Sequence, residues 1–574
     1  MKTSIVIPVL NQLEFTQQCV ESIEAFTPEE HEVIFVDNGS TDGSVTWLRE
    51  LAAKNPSYTL IRNEKNLGFP TACNQGAAFS RGDYILFLNN DTVVSKEWLG
   101  GLVEAIKSAP DIGCVGPMTN CISGHQQVND PTGYDSLFKY QNYADAYRKA
   151  HRGAYTPFWR VVGFCMLVSR KVWDELGGFD ERFSPGNFED DDFCLRACLA
   201  GYRNLIVGDV FIHHHGSATC KTMDFQAMLD ASLVKFNEKW AGIDKSISAV
   251  LIVKDERMNI GNCIANLHGI VDEIIVVDTG SRDGTKAIAK GCGGKVKVFN
   301  YKWCDDFSAA RNFANSKATK AWILSIDADE VITGLDKLNL YPFHAYRIET
   351  RNYNTNPRWT SNNENTGEYP QHEQGLRWFG STKIRIWPND KRVNFEYPVH
   401  EVVENTVRYL GMQETNAPEV VVHHYGRLCD DYEYGRGDKY WKLLHKQLES
   451  GVNDARSLEQ IALQAQTMGK FEDARKFWDQ VLALSPDDKQ ALLNKGHCFA
   501  SEGNWPEALE WTRKANEVNP DSKDVKMNLA TCEAMAGSVE KAKDICAELV
   551  VKYPLYPLPQ GLLNALEIAK NKED

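Results

Sequence analysis

The 574-residue sequence lacks the features that would place it in a membrane or on a nucleic acid. Its first residues, Met1 to Pro8, contain no signal-peptide core or cleavage site. No uninterrupted apolar run approaches the ~18 residues that cross a bilayer. Basic residues are not in excess, because the formal net charge is -15, which argues against nucleic acid or an anionic membrane surface as the main partner. We therefore expect a cytoplasmic protein with no membrane span.

Cysteine pairs of the CxxC type are also absent, although the chain contains 15 cysteines. They are spread along the chain, mostly within apolar or helical patterns. Without a short, regular spacing neither a zinc site nor a disulfide framework is indicated, and we expect mostly reduced core residues. With 43% apolar and 25% charged residues, the chain is typical of a soluble globular protein of three or four domains.

Two acidic motifs follow apolar runs of strand length in the middle of the chain. Residues 322–330 read Trp-Ile-Leu-Ser-Ile-Asp-Ala-Asp-Glu, and residues 273–284 read Glu-Ile-Ile-Val-Val-Asp-Thr-Gly-Ser-Arg-Asp-Gly. Open α/β sheets bind ligands at the carboxyl ends of their strands, which is where both motifs are predicted to lie. The paired carboxylates Asp327 and Asp329 suit a hard divalent cation and, through it, a diphosphate.

The same pattern occurs near the N-terminus. Residues 32–43 read Glu-Val-Ile-Phe-Val-Asp-Asn-Gly-Ser-Thr-Asp-Gly, and residues 84–92 read Tyr-Ile-Leu-Phe-Leu-Asn-Asn-Asp-Thr. Asp37 precedes its counterpart Asp278 by 241 residues, and Asp91 precedes Asp329 by 238. Because the spacing is kept within three residues, the pattern indicates one domain used twice.

Both halves resemble inverting glycosyltransferases of family 2, over roughly residues 2–240 and 247–430. The resemblance rests on an opening strand (residues 5–11 and 250–256), a Val-Asp-(Asn/Thr)-Gly-Ser-x-Asp-Gly turn and an Asp-x-Asp-type motif. It implies two α/β domains of the Rossmann-like GT-A fold, a UDP- or dTDP-sugar donor, and Mg²⁺ or Mn²⁺. The acidic net charge does not oppose this, since a metal can hold the phosphates. We place the domains at residues 1–245 and 246–430.

The donor candidates of the first half follow from the family motifs and are Pro8, Val9, Asn11, Asp37, Asn66, Asn74 and Asn89. A carboxylate at Asp37 can accept hydrogen bonds from a uracil or thymine ring and from ribose, and the glycines of its turn supply positive φ. Asp37 and Asp42 can also cap helix N-termini.

The metal candidates of the first half are Asp91 and His214. Asn89 stands where the family has a first carboxylate, so metal affinity should be weaker, while Asp91 is retained. GT-A enzymes commonly complete the site with a histidine in a His-x-Gly context, which selects His214 from the run of three histidines. Strand alternation places His213 and His215 on the opposite face.

Four adjacent carboxylates occur at residues 189–192. Their mutual repulsion should raise the pKa of at least one, which favours a proton acceptor. The resemblance to a Glu-Asp-x-Asp segment implies Asp190 as the general base, with Glu189 or Asp191 as alternatives. The run could instead be a solvated, acid-rich helix N-terminus.

The donor candidates of the second half are Lys254, Glu256, Asp278, Arg311 and Asp327. Arg311 offers a planar fork for phosphate or ribose, or it could pair with Asp305 or Asp327. In the branch of family 2 that this half resembles, a His-Glu pair replaces the Glu-Asp pair, which implies Glu401 as the base. Asp329 and His424 are the metal candidates, and His424 follows Glu401 by 23 residues, much as His214 follows Asp190 by 24.

Residues 340–379 depart from the first half, and Tyr, Trp, Arg and Asn dominate residues 347–359. Aromatic rings stack on the apolar faces of sugars while amides bind hydroxyls. The segment is therefore either an acceptor-facing insertion or a long, disordered surface loop.

The C-terminal residues 431–574 carry a repeat. Gly469, Gly503 and Gly537 are spaced by 34 residues, and Ala474, Ala508 and Ala542 keep the same step. This period predicts an all-α tetratricopeptide solenoid, joined to the second half by a helix over 439–448. The solenoid could bind a protein, mediate dimerisation or only stabilise the chain.

These features together predict a bifunctional, metal-dependent inverting glycosyltransferase. It would transfer sugars sequentially to an acceptor, a protein hydroxyl such as a flagellin serine or threonine, held by the repeats. The alternatives are a transferase that extends surface or lipid-linked glycans with the repeats as a recruitment scaffold, and a chain in which one half, more readily the first, is inactive.

Overall fold

The computed structural model describes residues 2–128, 136–216, 225–354, 363–364, 377–426, 437–449, 451–554 and 556–573. Two α/β units follow each other along the chain, and an all-helical unit ends it. This is the order of architectures that the motifs and the repeat predict.

The first α/β unit is built on a nine-stranded mixed sheet. Its strands are β1 (Thr3–Val9), β2 (His31–Asp37), β3 (Tyr58–Arg62), β4 (Tyr84–Leu88), β5 (Thr92–Val93), β6 (Ile112–Thr119), β7 (Tyr155–Pro157), β8 (Cys165–Ser169) and β9 (Arg203–His214). They are ordered β3-β2-β1-β4-β8-β6-β9-β5, with β7 paired to β9. Because β1 runs parallel to β2 and β4, the turns that follow these three strands open at one edge of the sheet.

The second α/β unit repeats this sheet. Its strands are β10 (Ile247–Val253), β11 (Glu273–Asp278), β12 (Val296–Asn300), β13 (Trp322–Ser325), β14 (Glu330–Thr333), β15 (His344–Asn354), β16 (Asn363–Glu364), β17 (Arg377–Pro388) and β18 (Gln413–His424). The order is β12-β11-β10-β13-β17-β15-β18-β14, with β16 paired to β17. Apart from β7 and β16, every strand has a counterpart at the same place in the other sheet, which agrees with the duplicated motif spacing.

Helices cover both faces of the two sheets. Those of the first unit are α1 (Leu13–Phe26), α2 (Ser44–Lys54), α3 (Phe69–Phe79), α4 (Trp98–Lys107), α5 (Leu137–Ala150), α6 (Arg170–Leu176), α7 (Glu189–Leu199) and α8 (Phe225–Ala241). Those of the second unit are α9 (Ile260–His268), α10 (Thr285–Gly291), α11 (Phe307–Asn315) and α12 (Glu404–Leu410). Central strands are buried on both faces for this reason, and every residue of β1 is buried.

The two α/β units share one core. Leu195 and Cys198 of α7 belong to a buried cluster whose other fully buried members come from the second unit. The Arg392 guanidinium donates to the carbonyl oxygens of Gly201 and Cys198 across the junction. A Cβ on Gly411 would lie 2.7 Å from the Phe158 nitrogen, so the backbones meet too closely for a larger residue. The helix that carries the first acidic cluster is therefore fixed against the second unit.

The C-terminal unit consists of antiparallel helices. They are α13 (Gly437–Glu449), α14 (Ala455–Thr467), α15 (Phe471–Leu484), α16 (Lys489–Ser501), α17 (Trp505–Val518), α18 (Lys523–Met535), α19 (Val539–Lys552) and α20 (Pro557–Glu573). The three periodic glycines have φ of 71°, 76° and 90° and lie in the turns of successive helix pairs. The three periodic alanines are fully buried. The glycines recur because each turn needs a residue with positive φ, and the alanines recur because each helix contact needs a small side chain.

The first helices of this unit pack on the second α/β unit. Val399 is buried in one cluster with Leu443 and Leu444 of α13 and Ile461 of α14. The described cysteines are free and mostly buried, as expected. Among the residues that the structure describes, no helix combines the length and apolarity needed to cross a membrane.

Candidate active site

The turn after the first strand of each unit is held by one polar side chain. Asn11 and Asp255 have φ of 57° and 58°. The Asn11 side-chain oxygen accepts the Thr41 N–H at 2.7 Å, and an Asp255 carboxylate oxygen accepts the Arg282 N–H at 2.7 Å. The two residues therefore clamp the acidic turn against the first strand. Sequence reasoning missed Asp255, although its position relative to β10 matches that of Asn11 relative to β1.

The aspartates that end β2 and β11 shape these turns. Asp278 accepts the N–H groups of Gly280 and Ser281 at 3.0 and 3.1 Å through Oδ1. Its Oδ2 atom is buried and has no hydrogen-bond partner among the described residues. Asp37 accepts the N–H groups of Gly39 and Ser40, each at 3.3 Å, through its two different oxygens. Asp278 thus shapes the turn through one oxygen and leaves the other without a hydrogen-bond partner among the described residues.

Pro8 and Val9, the other predicted nucleotide contacts of this edge, lie at the end of β1 opposite Val36 and Asp37. Asp42, which precedes the N-cap residue Gly43, accepts the N–H of Ser44, the first residue of α2, at 3.1 Å through Oδ1. The two roles that the motif left open for the acidic turn are thereby divided between Asp37, which shapes the turn, and Asp42, which accepts an N–H at the start of the helix.

Asn66 and Asn74, the predicted donor contacts, are engaged with the protein itself. Asn66 Oδ1 accepts from Asn38 Nδ2 at 2.9 Å. The Asn74 amide donates to the Phe179 carbonyl at 2.9 Å and accepts the Phe179 N–H at 3.0 Å. Asn312 makes the same two contacts with Phe395, at 2.9 and 2.7 Å. Asn74 and Asn312 therefore position the segment that precedes the acidic residues in each unit, while contact of Asn66 and Asn74 with a donor stays a prediction.

The predicted metal residues come together in both units. The distance between Asp329 Oδ2 and His424 Nε2 is 3.3 Å, and that between Asp91 Oδ1 and His214 Nε2 is 3.2 Å. His213 and His215 lie on the other face, where their rings are 4.5 Å apart. Burial disfavours the protonated form of both metal-facing histidines, but the adjacent carboxylates raise the pKa of His214 and of His424 above the ordinary value.

The other ring nitrogen of each histidine is held by an oxygen. His424 Nδ1 lies 2.8 Å from Asn352 Oδ1, and His214 Nδ1 lies 2.7 Å from the Cys121 carbonyl oxygen. In the neutral imidazole the proton belongs on Nδ1, so the Nε2 lone pair faces the carboxylate. Neighbouring ligands of a six-coordinate Mg²⁺ or Mn²⁺ lie ~3 Å apart, so both pairs fit such a cation as two of its ligands. Among the described residues no group of three or more metal-ligating side chains occurs, so a bound diphosphate and water would supply the remaining ligands.

Because Gly426 has no side chain, space remains beside the Asp329–His424 pair. A Cβ on this residue would overlap Asp329 Oδ2 and lie 2.8 Å from His424 Nε2. A Cβ on Gly216, its counterpart, would instead meet the Cys121 sulfur. The His-x-Gly context therefore has a physical basis in the second unit, because only glycine keeps Asp329 Oδ2 and His424 Nε2 accessible.

Arg311 joins the first carboxylate of the Asp-x-Asp motif to the predicted base. Its guanidinium lies 2.8 Å from Asp327 Oδ1 and 2.5 Å from Glu401 Oε1. Burial alone would raise the pKa of Asp327, but Arg311, with Arg385 and Lys383, holds it well below the ordinary value. Of the roles that the sequence left open for Arg311, the structure shows the pairing with Asp327 and adds the pairing with Glu401.

A second ion pair near Asp327 joins Arg385 to Glu330. Arg385 donates to both carboxylate oxygens of Glu330 at 2.6 and 2.9 Å, and both residues are buried. Glu330 also accepts the Asp327 N–H at 2.8 Å, which fixes the turn of the Asp-x-Asp motif. Sequence reasoning did not assign a role to either residue, because the pair joins positions 55 residues apart.

The acidic cluster of the first unit forms the start of α7 and is almost entirely buried. Asp190 Oδ2 accepts the Gly163 N–H at 2.7 Å. Asp191 pairs with Arg160 at 2.7 Å, and Asp192 pairs with Arg196 and Lys239 at 2.8 and 2.6 Å.

Burial and the charge of Asp190 raise the pKa of Glu189 well above its ordinary value. The same two causes raise the pKa of Asp191, against the opposing charge of Arg160. The cluster is therefore a paired, buried network, which differs from the solvated helix N-terminus considered above, and the predicted pKa rise occurs at the alternatives to Asp190.

Nearly all candidate site residues of the second unit line one cleft. It has a volume of about 1640 Å³, and every predicted site residue of this unit except Asp278 lines it. Lys254 and Lys383 are exposed there and make no ion pair among the described residues, so they offer positive charge for a diphosphate. The cleft continues past Glu401 onto α13 and α14. Part of the 340–379 segment also lines it, including Asn352 and Phe379, whereas residues 355–362 and 365–376 lie outside the described residues.

Comparison with known proteins gives matches for both kinds of unit. The family model for glycosyl transferase family 2 matches residues 4–177 and 248–398, more than half of the chain. A tetratricopeptide repeat model matches residues 460–517.

Similar proteins carry related descriptions. A TPR repeat-containing protein from Synechococcus elongatus is 29% identical over 316 residues, which is 52% of this chain and 64% of that protein. The O-antigen biosynthesis protein RfbC from Myxococcus xanthus is 30% identical over 38% of this chain and 18% of its own length. The chain thus covers less than two thirds of either relative. Among solved structures, a mannosyltransferase from Pyrobaculum calidifontis in complex with GDP-Man and Mn²⁺ has a TM-score of 0.31 at 19% identity, covering 41% of this chain and 64% of that one.

Proposed function

The chain belongs to glycosyl transferase family 2, and we propose that its second unit transfers a sugar, with inversion, from a nucleotide-diphosphate donor to an acceptor hydroxyl. The observation that carries the proposal is the single cleft that contains the Asp329–His424 pair, Arg311 and Glu401. In this cleft a carboxylate lies beside a preorganised cation site, which is what direct displacement of a diphosphate requires.

Each residue of the cleft has a distinct task in this reaction. Asp329 and His424 would hold Mg²⁺ or Mn²⁺, which when bound neutralises charge on the diphosphate leaving group. Lys254 binds the same group from the cleft wall. Glu401 accepts the proton of the acceptor hydroxyl as the sugar–oxygen bond forms on the face opposite the departing diphosphate. Arg311 holds Glu401 in a fixed orientation before the acceptor arrives.

We propose the same reaction for the first unit, so that the chain acts sequentially, one unit extending what the other starts. The Asp91–His214 pair favours this proposal. The competing proposal is that the first unit is a structural partner of the second. It is favoured by the replacement of the first motif carboxylate by Asn89 and by the pairing of the α7 carboxylates with Arg160, Arg196 and Lys239.

The acceptor that we propose is a protein hydroxyl, such as a flagellin serine or threonine, and the donor is a UDP- or dTDP-sugar. The repeat unit, which such proteins commonly use for binding polypeptides, favours this acceptor. A glycan precursor is the second candidate, and the similarity to a protein described as acting in O-antigen biosynthesis favours it. We take the units to be residues 1–245, 246–430 and 431–574.

Hydrolysis and transfer assays with a panel of nucleotide-sugars, with and without Mn²⁺, test the proposal. Glu401→Gln removes the proton acceptor and should lower second-unit turnover roughly 10²- to 10⁴-fold. Asp190→Asn reports on the first unit in the same way. Glu419→Gln, at an exposed position outside the cleft, is the matched control and should leave turnover unchanged. Unchanged turnover in Glu401→Gln would show that the base is misassigned.

A further inference from the structure

The catalytic cleft of the second unit has a wall that the family motifs do not provide. Arg456, Gln460, Gln464 and Thr467 of α14 line the same cleft as Glu401 and Asp329. A volume of about 1640 Å³ exceeds the ~300–1,000 Å³ of an ordinary small-molecule site. A nucleotide-sugar therefore leaves part of the cleft for another ligand.

The wall is fixed to the segment that carries the base. The Tyr397 hydroxyl donates to Asp454 Oδ2 at 2.6 Å, directly before α14. Arg456 donates to the carbonyl oxygen of His400, the neighbour of Glu401, at 3.2 Å. Val399 is buried against Ile461 on the opposite side of α14. Because these contacts are made by residues that directly precede Glu401 on the chain, a ligand seated on α14 is held at a constant position relative to the base.

The lining residues of α14 form one stripe. Positions 456, 460, 464 and 467 are separated by four, four and three residues, so they share a helix face, while Leu458, Ile461 and Ala465 on the other side are buried. Eleven residues of α-helix span ~16 Å. An extended polypeptide covers that length in about five residues, whereas one sugar ring is far shorter.

The chemistry of the stripe suits a peptide backbone. Gln460 and Gln464 are half-buried amides that can both donate and accept. Among the described residues Gln460 makes no side-chain hydrogen bond, and Gln464 makes only a 3.5 Å contact to the Gly437 carbonyl. An extended peptide presents N–H and C=O groups in alternation, which such amides can bind. A polyprenyl chain would need an apolar face, and this stripe is polar.

We propose that this face of α14 is an acceptor subsite, which binds about five residues of extended polypeptide and places a serine or threonine hydroxyl at Glu401. The inference rests on the proposed transfer reaction of the second unit and names its acceptor class. It also assigns a task to the first helix pair of the repeat unit, which is part of the catalytic cleft and not a separate recruitment surface.

A synthetic library of serine- and threonine-containing decapeptides tests this subsite with the full-length chain. Transfer is measured by mass after incubation with each nucleotide-sugar and Mn²⁺. The variant Gln460→Ala/Gln464→Ala should raise KM for the best peptide about tenfold, since it removes two neutral hydrogen bonds. Gln490→Ala on α16, an exposed glutamine outside the cleft, is the matched control.

Peptide length sharpens the test. Trimming the best peptide below five residues should raise KM in the parent chain but have little further effect in the double variant, because both changes remove the same contacts. Equal KM values for the parent and the double variant would overturn the subsite. So would transfer to glycan acceptors with no transfer to any peptide, although that result leaves the glycosyltransferase proposal intact. If no donor is hydrolysed, the proposed function fails, and anisotropy of fluorescent peptides on the parent and double variant still tests the subsite by binding alone.

Discussion

The two α/β units have the same strand order and different charges at the same positions. Arg311 and Asp327 of the second unit correspond to Cys73 and Asn89 of the first, at the common offset of 238. The buried pair Glu330–Arg385 corresponds to Thr92 and Met166 by strand register. At these four positions the charges are absent from the first unit as pairs and not singly.

The absence of both members of each charged pair from the first unit has an electrostatic reason. A buried charge without its partner is costly, whereas a neutral pair of similar volume can be tolerated. Cys73 is fully buried, and burial and the acidic cluster raise its pKa well above the ordinary value, so it stays a neutral thiol. Asn89 has a buried side-chain oxygen with no partner among the described residues. The first unit has the Asp91–His214 pair, like the second unit, but no counterpart of the Arg311 bridge, and this bridge is the feature that separates the two units.

The largest expected difference concerns the glycine of the His-x-Gly context. Gly426→Ala places a methyl group on Asp329 Oδ2 and His424 Nε2, so we expect Mn²⁺ affinity at the second unit to fall by at least about 100-fold. Calorimetric titration of Mn²⁺ in the presence of a nucleoside diphosphate measures this.

Two other glycines control for the change. Gly216→Ala should act through φ of 66° and the Cys121 sulfur and cost roughly 1 kcal/mol of stability, a smaller and less direct effect. Gly561→Ala, with open space around its Cβ in helix α20, should leave Mn²⁺ affinity unchanged. If Gly426→Ala binds Mn²⁺ as tightly as the parent chain, Asp329 and His424 do not hold the cation.

Removal of the arginine bridge should have the next largest effect. Arg311→Cys gives the second unit the residue of the first and leaves Asp327 and Glu401 without their cation. We expect a loss of about 2–3 kcal/mol, below that of a wholly buried pair because the Asp327 side chain is 32% exposed. Adding Asp327→Asn should restore part of the lost free energy of unfolding, because it removes one of the two carboxylates left without a cation. Urea unfolding monitored by tryptophan fluorescence measures both variants.

Arg408→Cys breaks an ion pair in which the arginine side chain is 61% exposed, and it should cost less than ~1 kcal/mol. A double variant that is less stable than Arg311→Cys alone would contradict the paired-loss interpretation.

We expect the smallest effect from replacing Glu273 of the second unit, which we compare with replacing Glu32 of the first. Glu273 accepts from Ser248 Oγ at 2.6 Å and from the Thr319 N–H at 2.8 Å, and Lys297 lies at 2.5 Å. Burial opposes ionisation, but these donors lower the pKa of Glu273 to about 2. Its contribution to stability is therefore present above the unfolded value of 4.5 and is lost as pH falls towards 2. Glu273→Gln should remove on the order of 1 kcal/mol at pH 7 and flatten the acid limb of the stability curve.

Glu32, the counterpart in the first unit, has a pKa lowered by Lys2 and Ser4 against burial, and its side chain is 14% exposed. Glu32→Gln should therefore have a smaller effect of the same sign. Urea midpoints from pH 3 to 7 provide the measurement. An acid limb unchanged by Glu273→Gln would show that the hydrogen-bonded glutamate does not set the acid sensitivity of the second unit.

Much of this architecture was predictable from local patterns. The strand that ends at Asp37, the helix over 439–448 and the glycine period each depend on neighbours along the chain, and the structure contains them as β2, α13 and the repeat turns. The comparisons confirm the resemblance to family 2 and to tetratricopeptide repeats. The proximity of Asp329 to His424 also agrees with the prediction, because a β14–β18 pair aligns the two motifs.

What local patterns could not supply are contacts between distant positions. The Asn74 amide donates to the carbonyl oxygen of Phe179, which lies 105 residues away. Arg311 reaches Glu401 across 90 residues. A motif shows which residue types are present, but it does not show with which of several charged residues a side chain pairs after folding.

Residue order alone set the duplicated α/β framework, the acidic strand ends and the helical repeat, because periodicity and strand length are properties of short windows of chain. Folding decided that Arg311 pairs with both Asp327 and Glu401, that Gly426 leaves space beside Asp329 and His424, and that α14 lines the same cleft as these residues. These contacts depend on packing between elements far apart in sequence, where the balance of burial and charge selects one arrangement from many compatible with the same motifs.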